Sequence, residues 1–302
     1  MSTPHPNPSA TLATAWQAIP AWYGEHRRAL PWRQEPTAWA VLVSEVMLQQ
    51  TPVVRVEPVW CSWMRQWPTP GHLADSTPEQ VLRAWGRLGY PRRALWLRQT
   101  AITIRDKHHG RVPSDATALR ALPGIGEYTA SAVGAFAFGQ PVAVLDTNVR
   151  RVLGRLLHDR ALPPPHITSG ERNQAVAALP VAPGDSVRWN TALMELGALV
   201  CTATSPDCGR CPVKQLCSWR AAGYPPDAYA AQRRRQAWNG TDRQDRGRVM
   251  AALRDAPGPL TASDLPPNSQ GDQRARVLDS LLADSLIESL PNDPPTFRLP
   301  VA

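Results

Sequence analysis

The sequence predicts an all-α protein that ends in a small winged-helix-like unit. Three observations carry this. Apolar residues recur at three- and four-residue spacing almost without a break up to about residue 160. No part of that span shows the apolar–polar alternation of a half-buried strand. Four of the five cysteines then crowd into one 17-residue stretch that follows another helical segment.

Taken in order, the periodicity predicts helices over 9–28, 37–50, 52–66, 78–88, 92–108, 115–121, 127–138 and 147–157. Segments such as 68-PTPG-71 and 74-ADST-77 punctuate them. Two further helices are expected over 168–180 and 189–201, the second running into the cysteines. Residues 220–244 are polar, carry an Arg run at 233–235, and read as a linker. The tail reads as a helix over 246–255, a turn at 257-PG-258, a short helix over 261–265, a helix over 272–285 and a β-hairpin within 286–299.

The chain has 302 residues, 43% of them apolar, enough to bury a core. No apolar run approaches the roughly 18 residues of a membrane span, and the N-terminus lacks the pattern of a secretory signal. A cytoplasmic, nucleoid-associated protein is expected, with no membrane contact. Net charge is +8, and residues 241–302 contribute −2 of it, so the first 240 residues hold +10. A polyanionic partner would bind that part. Arginine outnumbers lysine 31 to two, leaving only Lys107 and Lys214 as side-chain amines able to form a Schiff base.

The cysteines Cys201, Cys208, Cys211 and Cys217 are spaced C-x6-C-x2-C-x5-C. Clustered thiols in a reducing compartment hold metal rather than disulfides. One compact run supplying four ligands suits a [4Fe–4S] cluster, with a structural zinc as the alternative. Cys61, on an apolar helix, reads as a core residue.

In 119-LRALPGIGEYTASAVGAFAF-138 two helices are joined through Pro-Gly-Ile-Gly. Gly124 and Gly126 permit a tight turn whose amides, at the start of the next helix, suit a phosphate. An ordinary helix–helix turn is the plainer alternative.

Two carboxylates stand out. Glu45 lies on a helix among Val41, Leu42 and Leu48, where desolvation raises a carboxyl pKa and tunes it as a general acid. The structural alternative is an ion pair with Arg33 or Arg55. Asp146, in 142-VAVLDTNVRRVLGRL-156, follows an apolar run and precedes a helix, the position of an N-cap. One neutral acid and one ionised carboxylate are also the pair that cleaves glycosidic bonds.

Together, 30-LPWR-33, 44-SEVMLQQT-51, 85-WGRLGY-90, 122-LPGIGEYTA-130, 145-LDTNVRRV-152 and the cysteine run resemble the adenine DNA glycosylases of the MutY type. These belong to the helix-hairpin-helix, iron–sulfur superfamily that includes endonuclease III. The resemblance implies a two-lobed helix-hairpin-helix DNA glycosylase fold. Residues 1–36 form an N-terminal helix packing with the cluster lobe, 37–145 a six-helix barrel carrying the hairpin, and 146–220 the [4Fe–4S] lobe. A linker over 221–244 and the winged-helix-like unit over 245–302 follow. DNA would lie across the groove between the lobes.

By motif match, Glu45 protonates the flipped adenine and Asp146 stabilises the sugar cation, with Tyr128 and Asn148 assisting. Gln50 and Tyr90 wedge into the duplex, beside Thr51, Leu88 and Gly89. Trp32, Arg33 and Gln49 line the base pocket, and Gly124 and Gly126 hold a phosphate. The implied partner is double-stranded DNA with adenine opposite 8-oxoguanine or guanine, bound by a monomer.

Tyr128 stands where endonuclease III relatives carry the Schiff-base lysine, which implies base removal without strand cleavage. Some features depart from the family. The segment after Cys217 lacks the pattern of the Nudix-hydrolase-like domain that many members carry. Pro91 replaces a second aromatic, and Thr147 a frequent glycine. Two alternatives stand beside this reading: a thymine or uracil mismatch glycosylase on the same scaffold, and a non-catalytic iron–sulfur DNA-binding redox sensor.

Overall fold

A computed structural model describes residues 8–34, 37–182, 184–233, 238–267 and 272–301. In chain order the helices are α1 (Pro8–His26), α2 (Ala38–Leu48), α3 (Val53–Gln66), α4 (Pro70–Ala74), α5 (Pro78–Trp85), α6 (Arg92–Lys107) and α7 (Ala116–Arg120). There follow α8 (Glu127–Phe138), α9 (Thr147–Leu157), α10 (Ser169–Ala177), α11 (Asp185–Leu199), α12 (Ser218–Ala221), α13 (Asp242–Asp255) and α14 (Gln273–Ala283). The helix boundaries follow local chemistry. Thr37, Thr69, Thr77, Asp115, Asp146, Thr168 and Thr241 each cap the next helix, their side-chain oxygens accepting from a backbone N–H in its first turn. Gln80 and Glu171 close capping boxes.

Some boundaries differ from the sequence expectation. Helix α4 occupies a stretch that reads as punctuation, because Thr69 caps it and Pro70 sits at its first position. Helix α5 stops at Trp85, since Gly86 turns to φ +56°. Helix α11 starts at Asp185, four residues early, directly after left-handed Gly184. The expected helix over 261–265 is instead a strand and a turn. Strand β1 (Leu260–Thr261) pairs antiparallel with β3 (Thr296–Arg298), which also pairs with β2 (Glu288–Leu290), in the order β1-β3-β2. Asp264 draws the chain out of the strand by accepting from the Thr261 N–H and hydroxyl.

The chain forms two compact units: Met1–Leu30 with Glu127–Arg234, and Pro31–Gly126 with Arg235–Ala302. In the first, α1, α9 and α11 pack on a core that includes Ile19, Trp22, Val152, Leu156 and Trp189. Two ion pairs, one half-buried and one buried, brace it. Glu195, fully buried on α11, accepts from the Arg28 backbone N–H and from its guanidinium, at 2.8–2.9 Å. Glu171 takes a two-pronged bond from Arg150. Half-removed pairs of this kind are costly, which ties the N-terminal segment firmly to α11.

In the second unit α2 is buried on every side from Trp39 to Met47, and packs against α3, α6 and the turn at Pro31–Arg33. A helix apolar all round belongs at the centre of its domain. Trp63, Trp67 and Trp85 meet edge to face beneath it, and the indole N–H groups of Trp39 and Trp60 reach the carbonyls of Trp67 and Ala40. The C-terminal segment adds α13, α14 and the small sheet to this same unit. Arg83 donates to the carbonyls of Arg254 and Ala256, and Asp284 accepts from both Arg92 and Arg246. Cys61, expected in the core, is only half-buried, because its face of α3 is a margin. No helix among the described residues is long and apolar enough to cross a membrane.

Candidate active site and metal centre

Glu45 sits in the middle of α2 and is 5% exposed. A carboxyl group so placed is desolvated, and burial at that level carries a cost that surface glutamates avoid. Arg55, one of its candidate ion-pair partners, instead donates to the Arg87 carbonyl. One turn beyond Glu45 the helix ends at Gln49, and Gln50 takes a left-handed φ of +55°.

The end of α2 is held by Arg93, itself 6% exposed. One guanidinium nitrogen donates to the carbonyls of Val46 (2.9 Å) and Gln49 (2.5 Å). The other donates to the Thr51 hydroxyl and the Gly89 carbonyl, both at 3.1 Å. Thr51 in turn donates to the Leu88 carbonyl. This one side chain therefore caps α2 and ties the Gln49–Thr51 turn to the Leu88–Tyr90 turn. Tyr90, like Gln50, has a positive φ (+48°), and is 44% exposed. Left-handed backbone at non-glycine residues costs about 1–2 kcal/mol each, and persists where the surroundings over-determine it. Burial pushes the Arg93 guanidinium down to about 10, so it remains a cation at neutral pH.

The hairpin turn belongs to the same neighbourhood. Val46, Gln49, Arg93, Trp96, Gly124 and Ile125 line one small cleft. Gly124 has φ +72°, and a Cβ there would sit 2.9 Å from the Trp96 Cβ, so glycine is required twice over. Gly126 faces open space. Trp32 is buried edge-on against Trp60 at 5.7 Å, with half-buried Arg33 beside it.

In the other unit Asp146 caps α9, accepting from the Val149 N–H at 2.6 Å. Its second oxygen accepts from the Asn148 amide at 2.8 Å. Burial pushes its carboxyl above the usual range, against the opposing pull of those bonds and of the Arg151 charge. Asn148 accepts from Arg151, which also donates to the carbonyls of Gly197 and Cys201, at 2.7 Å each. Gly197 lets the chains approach: a Cβ there would lie 2.6 Å from the Asn148 Cβ. Tyr128, in the first turn of α8, packs against the cluster of Ala132, Ala135 and Val144.

Cys201, Cys208, Cys211 and Cys217 line a single cavity together with Arg155 and Trp219. Burial, reinforced by the neighbouring cysteines, pushes the Cys211 thiol up to about 11, and raises Cys217 likewise. These two thiols therefore resist ionisation unless a positive centre compensates. Arg155 supplies part of that charge, donating to Cys201 Sγ at 3.3 Å and stacking 4.3 Å from the Trp219 ring. No three His, Cys, Asp or Glu side chains among the described residues close on one point as a single ion requires. Sulfurs ringing a cavity suit the larger iron–sulfur cube better than a lone zinc. Sequence reasoning missed Arg93, Arg151 and Gly197, all of which act across long sequence separations.

The profile of the HhH-GPD superfamily of base excision DNA repair proteins matches residues 43–177, and that of the iron–sulfur binding domain of endonuclease III matches 201–217, which holds all four cysteines. The chain thus carries an iron–sulfur cluster, and its four clustered cysteines lie within the matched segment. An adenine DNA glycosylase of Mycolicibacterium smegmatis is 49% identical, over 89% of this chain and 90% of that protein. The human adenine DNA glycosylase is 42% identical, over 66% of this chain and 38% of its own length. Among solved structures, a thermostable thymine-DNA glycosylase matches with a TM-score of 0.63 at 24% identity, over 70% of this chain and 97% of that one. A trapped endonuclease III–DNA covalent intermediate matches at 0.60 and 22%, over 71% and 99%. These two likenesses speak for the fold. The chain belongs to the helix-hairpin-helix superfamily of base excision DNA repair proteins and, within it, to the adenine DNA glycosylase family.

Proposed function

We propose that this chain removes adenine mispaired with 8-oxoguanine or guanine from double-stranded DNA, acting as a monomer and leaving the sugar–phosphate strand uncut. The observation that carries the reading is Glu45: a carboxyl group 5% exposed, on a helix otherwise buried and apolar, one turn before Gln49-Gln50-Thr51. A proton donor held dry suits protonation of a flipped purine. With the proton on the ring, the C1′–N9 bond breaks and its electron pair leaves with adenine. The carboxylate of Asp146 then stabilises the sugar cation until water adds at C1′ and gives up a proton. Asn148 holds the oxygen of Asp146 that Val149 does not, and Tyr128 assists. Gln50 and Tyr90 enter the duplex, Trp32, Arg33 and Gln49 receive the base, and the amides of Gly124 and Gly126 take a phosphate. The [4Fe–4S] cluster organises the loop of Cys201, Cys208, Cys211 and Cys217.

Strand cleavage by these enzymes needs an amine that attacks the sugar. Tyr128 has none, Lys107 ends α6, and Lys214 reaches only the Gly209 carbonyl within the cysteine loop. Duplexes holding adenine opposite 8-oxoguanine, adenine opposite guanine, or thymine opposite guanine test the reading. Breaks at adenine that appear only after alkali support it. Breaks at thymine alone, or breaks without alkali, refute the adenine or the monofunctional assignment respectively.

A further inference from the structure

The C-terminal segment is net negative, yet its charges cancel locally. Asp242 pairs with Arg276, Asp245 with Arg274, Asp284 with Arg246, and Glu288 with Arg298. Its net charge therefore says little about the face it turns toward Tyr90.

On that face stands Arg243, in the first turn of α13. Its guanidinium lies 5.0 Å from the centre of the Tyr90 ring and 5.4 Å from that of Trp238. Trp238 is 52% exposed and Tyr90 44%. A cation at a helix N-terminus opposes the helix dipole, which favours anions there. An outward-facing Trp and Tyr likewise leave large apolar surface in water. Cation and exposed aromatic rings side by side are what a nucleic-acid surface presents, the charge to a phosphate and the flat faces to sugar and base.

We propose that Arg243 and Trp238 of the C-terminal unit extend the duplex-binding surface around Tyr90, Arg243 taking a backbone phosphate and Trp238 packing on the adjoining deoxyribose. This rests on the reading that Tyr90 enters the duplex. The contact is sequence-independent: it adds affinity and register rather than base readout. It also gives the tail a role that a merely structural appendage lacks.

The test uses the full chain with its cluster and a duplex carrying an uncleavable 2′-fluoro-adenine opposite 8-oxoguanine, followed by fluorescence anisotropy over a salt series. Arg243→Glu is expected to weaken binding roughly tenfold, and Arg243→Ala to lower the slope of log affinity against log salt by about one. Arg243→Lys keeps the charge and should keep that slope. Trp238→Ala is expected to cost about fivefold. Thermal unfolding of each variant separates lost binding from lost fold. Affinities and slopes equal to wild type in Arg243→Glu, while Tyr90→Ala weakens binding, would overturn the proposal and leave the function reading standing. Tighter binding by Arg243→Ala would also overturn it, by showing that the stack covers Tyr90 against DNA. If Tyr90→Ala is neutral and wild type binds mispaired and matched duplexes alike, the underlying reading falls first.

Discussion

Arg93 is the residue whose replacement tests most of the reasoning at once. Changing it to methionine keeps the length of the side chain and its packing against Trp85, whose ring lies 5.3 Å from the guanidinium. It removes the donors that serve the carbonyls of Val46, Gln49 and Gly89 and the hydroxyl of Thr51. Charge-assisted bonds contribute about 1.5–3 kcal/mol each, and the orphaned acceptors lie where water enters poorly. The relief of no longer burying a cation offsets part of this. A net loss of about 3–5 kcal/mol is expected, the usual range for breaking a buried charged network. For a unit of this size that lowers the melting temperature by roughly 6–20 °C. Arg93→Lys should recover only a fraction, because an ammonium cannot fork between the two turns.

The functional consequence should exceed the stability loss. Gln50 and Tyr90 hold left-handed backbone only while the knot constrains them. At a temperature where Arg93→Met is still folded, its affinity for the mispaired duplex should fall at least tenfold. Urea unfolding followed by tryptophan fluorescence, together with excision of adenine opposite 8-oxoguanine, measures both. Stability within about 1 kcal/mol of wild type, or undiminished affinity, would refute the assignment of Arg93 as the brace of both turns.

Other substitutions address the remaining parts. Burial raises the Asp146 carboxyl above its unfolded value, so its ionised form costs stability above the folded pKa and the cost vanishes below the unfolded one. Asp146→Asn should therefore melt higher than wild type at pH 7, with the gap closing as pH falls toward about 4, while excision drops at least a hundredfold. Gly197→Ala puts a methyl 2.6 Å from the Asn148 Cβ, and should cost about 1–3 kcal/mol with slower excision in single-turnover assays. Gly124→Ala meets Trp96 at 2.9 Å in a left-handed conformation. Its duplex affinity should fall several-fold at unchanged iron content. Cys217→Ser should lose iron and the visible absorption of the cluster, read by metal analysis and spectroscopy.

Much of this was legible in the sequence, for local reasons. Helical periodicity alone places Glu45 among apolar neighbours, the Leu-Asp-Thr sequence announces Asp146 as a cap, and the cysteine spacing announces a metal centre, with zinc as the alternative to an iron–sulfur cluster. What was not legible depends on contacts distant in the chain. Arg93 on a basic helix reads as a solvent-facing arginine, yet its acceptors lie between four and 47 residues away. Gly197 reads as a weak point in a helix, until Asn148 is seen to rest on it. Strand β1 has two residues, and only its pairing with Thr296 and Phe297 makes it a strand. The charge of the tail misleads for the same reason, since a sum over 62 residues hides the pairing of its acids with its own arginines.

The network around Asp146 also bears on why a metal centre accompanies this chemistry. Starting from its carboxylate, one bond leads to Asn148, a second to Arg151, and a third to the backbone carbonyl of Cys201, a proposed cluster ligand. Arg155, one turn further along α9, reaches the sulfur of the same cysteine. Both arginines are buried; Arg151 also donates to the Gly197 carbonyl on α11, and Arg155 to the carbonyls of Thr202 and Ala203 in the cysteine loop. If that loop loosens, Arg151 loses its Cys201 carbonyl partner and its hold on Asn148 weakens, leaving Asp146 more dependent on backbone amides. An aspartate whose burial already disfavours its charge would then shift further toward the protonated form, which does not suit the role proposed for it. With the role proposed for Asp146, the cysteine loop would bear on excision without touching substrate, through the three hydrogen bonds that lead from it to this carboxylate.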